Sequence, residues 1–258
     1  MSNFLILIGG PGLFKSCDQK HDKTWINYFY PIQVAAEEKL LNRGESRVHW
    51  IVYEPAYNRR WLEDSEVTLL EGAFELASGR NLHKVREQHA IKVKKSGAKN
   101  YLDHIKRTAK EHNITYKGIN TPNEFWRYIE SFPARSISRV WFSGHATTKG
   151  LILELTHDAQ CIANWSDKST LLVSSIDRNK NLANRFIVDN KKPSKFYGCN
   201  TRLFAETFHT VFGLATEGAN SSITFKGIFG ERKKILERLE TTPTPQGRPQ
   251  WTKYPTEP

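Results

Sequence analysis

Short apolar runs closed by small or turn-forming residues alternate along this chain with stretches whose apolar positions recur at helical spacing. Phe4 to Ile8, in FLILIGG, is an unbroken apolar run ended by Gly9 and Gly10, the pattern of a strand buried on both faces that feeds a loop. From Trp25 to Asn42, the side chains Ile26, Phe29, Tyr30, Val34, Ala35, Leu40 and Leu41 keep a helical rhythm that ends near Gly44. RVHWIVYEP then reads as a second strand, stopped by Pro55. Strand, helix and strand in this order predict a right-handed βαβ unit. The expected fold class is therefore α/β, a mainly parallel central sheet flanked by helices.

Residues 57–116 are polar and rich in Lys, His and Glu, with LLEGAFELA and YLDHIKRTAKEHN the clearest helical stretches; helices plus an inserted surface loop are expected there. TPNEFWRYIESF opens on Thr121 and carries Glu124 three positions later, a capping-box signature ahead of an amphipathic helix. RVWFSGHA rises from Arg139 to Phe142 and breaks at Ser143 and Gly144, which places His145 in the loop just past a strand's carboxyl end; LILEL continues as a strand or hairpin arm. LLVSSIDRNKNLANRFI is helix-like. KFYGCNT repeats the strand-then-small-residue design and puts Cys199 at a second strand end, with a helix from Asn200 to Phe212 directly after it. LATEGANSSITF and the helix GERKKILERLE close the regular structure. The Pro-rich, polar TTPTPQGRPQWTKYPTEP reads as a flexible tail, so the domain is expected over 1–240 and the tail over 241–258.

A chain of 258 residues can bury one substantial core, and 38% apolar with 25% charged residues excludes a disordered chain. No run approaches the roughly 18 apolar residues a membrane-spanning helix needs. The opening lacks a basic leader and a small-residue cleavage site, so a cytoplasmic location is expected, leaderless delivery by a specialised secretion system being the exception. Cys17, Cys161 and Cys199 are an odd, sparse set without CxxC spacing, which argues against a disulfide scaffold and a zinc cluster; neither metal nor cofactor is expected. The net charge of +11 is dispersed, with only short clusters such as Lys92, Lys94 and Lys95, and so indicates a solvated surface rather than a nucleic-acid partner. GGPGLFKS follows a strand but misses the spacing of a phosphate-binding loop.

Ligands of open α/β sheets gather beyond the carboxyl ends of the strands, where His145 and Cys199 both fall. If their strands are neighbours, imidazole and thiol meet in the geometry of a thiolate nucleophile and its proton partner. Gly144 and Gly198 remove side chains beside them, so a substrate backbone can come close and the Cys199 N–H can serve as an oxyanion donor. The histidines His21, His49, His83, His89, His104, His112, His157 and His209 sit in mostly polar surroundings and are expected to be solvated.

RVWFSGHA followed some fifty residues later by KFYGCNT resembles the paired His-strand and Cys-strand motifs of the caspase-like cysteine peptidases, the group of caspases, metacaspases, clostripain relatives, separase and CHAT domains. The resemblance covers about residues 139–225 and, more loosely, the first strand. It implies a caspase-like α/β/α sandwich in which His145 is the general base and Cys199 the nucleophile, with the oxyanion held by backbone amides near Ala146 and Cys199. The family usually has Gly directly after the His, where this chain has Ala146. YGCNT is closer to the CHAT-like pattern than to the caspase pentapeptide, so Asp specificity is not implied. In this picture Gly10 belongs to a loop bordering a substrate pocket, and Asp189 and Glu217 are the acids placed to receive a basic side chain. The expected function is a cysteine endopeptidase acting on protein or peptide substrates, a bacterial regulatory protease or toxin-like effector, with room for an activating or inhibitory protein partner. The alternative is a catalytically silent caspase-like module that binds protein or nucleic acid through its basic surface.

Overall fold

The computed structural model describes residues 2–12, 24–41, 46–65, 91–155, 167–188, 192–225 and 231–255. Seven strands form the central sheet: β1 (Ser2–Ile8), β2 (Ser46–Tyr53), β3 (Thr115–Ile119), β4 (Ile137–Ser143), β8 (Ser194–Tyr197), β9 (Thr216–Ala219) and β10 (Trp251–Tyr254), in the order β10-β9-β8-β4-β1-β2-β3. All neighbours pair in parallel except β10, which runs antiparallel to β9. A small antiparallel sheet, β5 (His145–Thr147), β6 (Gly150–Ile152) and β7 (Thr170–Leu172), follows directly from β4. Strand order reverses at β1, which has β2 on one side and β4 on the other; crevices of α/β sheets open at such a switch point.

Alternation along β1 divides the core into two layers. Phe4, Ile6 and Ile8 pack on one face with α1 (Tyr30–Glu37), α3 (Tyr101–Glu111) and α7 (Ile235–Thr241). Leu5 and Leu7 pack on the other with α4 (Pro122–Glu130), α5 (Val173–Arg178) and α6 (Arg202–Phe212). Because both faces are covered, the strands carry continuous apolar runs, and the expected α/β class with a mostly parallel sheet is observed. Among the described residues no helix is long and apolar enough to cross a membrane.

Several expectations need correction. The first helix spans Tyr30–Glu37 rather than 25–42, because Pro31 has no N–H to donate and fits only a first turn. Residues 54–65 form α2 (Glu54–Ser65), but Thr115–Ile119, which begins at the end of the 57–116 stretch and runs past it, is the edge strand β3, whose half-exposed positions hide it from an apolar search. Thr121 caps α4 without the expected bond from its own side chain to the helix; instead the Glu124 carboxylate accepts from the Asn120 N–H at 3.1 Å and from the Thr121 hydroxyl at 3.3 Å.

The carboxyl-terminal segment is not a tail over its described residues. Trp251–Tyr254 complete the sheet as β10, with Trp251 edge-on to Tyr197 at 5.7 Å and its indole N–H donating to the Glu240 carbonyl at 3.1 Å. Proline content alone misled, since the prolines lie outside the paired residues. Truncation after Thr242 would bare β9, all four of whose residues are buried, and is expected to lower unfolding free energy by about 2–4 kcal/mol. Denaturant titration followed by circular dichroism measures this; a dispensable tail would leave the midpoint in place.

His49 is buried rather than solvated, at 4% exposure. Asn3 Oδ1 can only accept, so the His49 Nε2–H donates to it at 3.0 Å, and Nδ1 accepts from the Tyr128 hydroxyl at 2.9 Å. This neutral ring is fully satisfied. Burial, then the nearby Arg47 charge, lowers its pKa from 6.5 to about 4. The unfolded chain therefore binds a proton near pH 6.5 that the folded chain refuses until about pH 4. The contribution is complete above pH 6.5 and is lost on acidification to pH 4, a change of up to about 3 kcal/mol. Unfolding midpoints of the wild type and His49→Gln, compared across that window, are expected to converge toward low pH. His104 is likewise partly buried, edge-on to Trp25 at 5.7 Å, and burial lowers its pKa.

Candidate active site

The register aligns Ile8 of β1 with Ser143 of β4, and Ser143 with Tyr197 of β8. One residue further along each strand stands a glycine, so Gly9, Gly144 and Gly198 form a row across the carboxyl edge of the sheet. The Gly9 N–H donates to the Ser143 carbonyl at 2.9 Å and the Gly144 N–H to that of Tyr197 at 3.1 Å, which extends the parallel pairing by one step. Beneath the row lies the ring of Phe142, so close that a Cβ on Gly144 would stand 2.6 Å from Cζ and one on Gly198 3.2 Å from Cε1. A Cβ on Gly198 would also meet the Ala146 methyl at 2.7 Å and the Gly144 carbonyl oxygen at 3.0 Å. The glycines thus let three strand ends close over one ring and bring the loops after β4 and β8 into contact.

His145 and Cys199 stand immediately after this row on neighbouring strands. His145 opens the β5–β6 hairpin opposite Ile152, so it belongs to a paired element rather than to the free loop expected. Cys199 sits in a tight turn. Asn200 adopts the left-handed conformation, φ 56°, which Asn tolerates better than most residues, and its N–H donates to the Ser221 carbonyl at 3.1 Å. The buried Thr201 hydroxyl donates to the Phe196 carbonyl at 2.8 Å and accepts the Ala219 N–H at 3.0 Å, tying the turn to both β8 and β9. Helix α6 starts at Arg202, two residues later than expected, because the chain first needs this turn to reverse.

His145 and Cys199 both line one cleft of about 380 Å³, with Asn27 and Tyr28 on one side, Ser222 to Phe225 beyond the end of β9, and Thr244 to Gln246 of the carboxyl-terminal turn. Cys199 is half-buried, its Sγ 3.7 Å from the Ile223 carbonyl oxygen. His145 Nε2 lies 2.6 Å from the Tyr28 hydroxyl.

Of the expected oxyanion groups, the Gly144 N–H is committed to Tyr197 and the Gly198 N–H to the Phe196 carbonyl at 3.0 Å; strand pairing and the turn claim both. Ala146 is buried, facing Leu151 in the hairpin, and acts as a packing surface for Gly198. The Cys199 N–H, by contrast, makes no hydrogen bond among the described residues. Gly10 does not line the cleft: its N–H donates to the Leu153 carbonyl, and a Cβ there would collide with Ala56 of α2 at 2.1 Å, so it is a packing glycine. Glu217 is also removed from the cleft. It sits on β9 between its cross-strand partners Lys195 at 3.1 Å and Lys253 at 3.6 Å, neutralised within the sheet. Asp189, Cys17 and Cys161 lie outside the described residues. Tyr28, buried on the cleft wall, was missed by sequence reasoning and is not among the positions of the helical rhythm read there.

No family model, curated protein or solved structure matches this chain.

Proposed function

We propose that this protein is a cysteine endopeptidase of the caspase-like type, working through a Cys199/His145 dyad. The observation that carries the reading is the shared cleft: two residues some fifty positions apart in sequence follow adjacent parallel strands and open onto the same space. The thiolate of Cys199 attacks the peptide carbonyl carbon, and the resulting oxyanion meets the Cys199 N–H. Collapse breaks the C–N bond as His145 gives its proton to the departing amine; the carboxyl-terminal fragment leaves with a new amino terminus and the amino-terminal fragment stays on Cys199 as a thioester. Water, deprotonated by His145, then attacks the thioester; an acid is released and the thiol regains its proton.

The described wall of the cleft carries no carboxylate and no Lys or Arg; Tyr28, Ile223 and Phe225 give it an apolar face. An extended peptide is the substrate class that suits it. Labelling with a peptidyl chloromethyl ketone, followed by peptide mapping, tests the reading. Cys199 is expected to carry the label ahead of Cys17 and Cys161, and labelling is expected to collapse in His145→Ala. Equal modification of all three thiols, indifferent to His145, would overturn it in favour of a silent binding module.

A further inference from the structure

Tyr28 is 3% exposed and is held from three sides. Its carbonyl accepts the hydroxyl of Ser143, the last residue of β4, at 2.8 Å. Its ring packs edge-on against Phe225 at 4.7 Å and against the imidazole of His145 at 4.9 Å. Its hydroxyl then meets His145 Nε2 at 2.6 Å. The strand that delivers His145 therefore also fixes the backbone of the residue that grips its ring. Such a brace, independent of the hairpin that carries the imidazole, is more than packing requires.

We propose that Tyr28 is a positioning residue of the dyad, its hydroxyl fixing Nε2 of His145 so that proton exchange with Cys199 runs through Nδ1; the inference rests on the dyad reading above. An imidazole that accepts a proton at Nδ1 must carry its existing proton on Nε2, and Nε2–H needs an acceptor. The phenol oxygen supplies it. When Nδ1 takes the thiol proton, the same bond becomes charge-assisted and stabilises the imidazolium, and with it the thiolate. The phenol thus favours both the tautomer that can act as base and the charged state that follows. Among the described residues lining the cleft, the titratable side chains are Tyr28, His145 and Cys199.

The test is the pH–rate profile of Cys199 alkylation by iodoacetamide, read on the Cys199 peptide by mass spectrometry, in the wild type, Tyr28→Phe and His145→Ala. His145→Ala is expected to slow alkylation at pH 6 the most. Tyr28→Phe is expected to slow it about tenfold at that pH, one charge-assisted hydrogen bond being lost. A profile unchanged in His145→Ala would sink the dyad itself. A shift in His145→Ala with Tyr28→Phe tracing the wild type would sink the Tyr28 assignment alone. A second measurement needs no variant: ¹⁵N chemical shifts of the His145 ring in the folded protein are expected to report a proton on Nε2 in the neutral ring and in the imidazolium alike, and a ring protonated at Nδ1 alone would overturn the proposal even if Tyr28→Phe did not fold.

Discussion

Replacing Cys199 by Ala is expected to reduce cleavage of a susceptible peptide by about 10³-fold or more, and His145→Ala by a similar factor, with the double variant no worse than the more damaged single one. A dyad acts as one unit: a thiol without its base is mostly protonated near neutral pH, and a base without its nucleophile has nothing to activate, so the losses do not add. The folded structure should survive both changes. Cys199 is half-buried in a turn whose hydrogen bonds are made by Asn200 and Thr201, and His145 lies on the cleft wall. Steady-state kinetics on a peptide library, with thermal unfolding as control, decide the matter. Losses that multiply would mean two independent contributions, and no loss in either variant would remove the assigned chemistry altogether.

Much of the architecture that positions this site was legible from three short strings. IGG, SGH and YGC each close an apolar run with a glycine, and the structure sets those glycines side by side over Phe142. Parallel strands buried on both faces leave strong one-dimensional signals, which is why β1, β2, β4 and β8 could be read directly. Edge strands leave weak ones. β3 presents half-exposed polar residues, and β10 is four residues within a Pro-rich segment, so neither stood out.

What the glycines do was read differently from what is observed. Room for a substrate backbone was the expectation; the contacts show room for Phe142 and for the two loops against each other. The acids were misplaced for a related reason. A carboxylate near a cleft in sequence can be consumed by cross-strand cations, as Glu217 is by Lys195 and Lys253, and pairing across parallel and antiparallel neighbours has no local signature. Tyr28 was invisible because its contact with His145 spans more than a hundred residues.

Gly198→Ala should cost about 10²-fold in activity while leaving the protein folded. No left-handed torsion demands a glycine at this position, so the effect must be steric. The new methyl would start 2.7 Å from the Ala146 methyl and 3.0 Å from the Gly144 carbonyl oxygen, whereas carbon atoms settle about 3.5–4.0 Å apart. Both neighbours are fixed to backbone, one in the His145 hairpin and one in the row beneath it, so relief requires the two loops to part by about 1 Å. A displacement of that size is enough to spoil a reacting geometry. Overpacking should also lower stability by about 1–3 kcal/mol. Ala146→Gly removes the nearest obstacle, so the double variant Gly198→Ala/Ala146→Gly should recover part of the activity, the Gly144 contact remaining. Cys199 in Gly198→Ala should still react with iodoacetamide, but with a weaker dependence on His145. Wild-type turnover in Gly198→Ala would mean that the contact between the two loops does not set where His145 and Cys199 stand in their shared cleft, and that the glycine row serves the sheet rather than the chemistry.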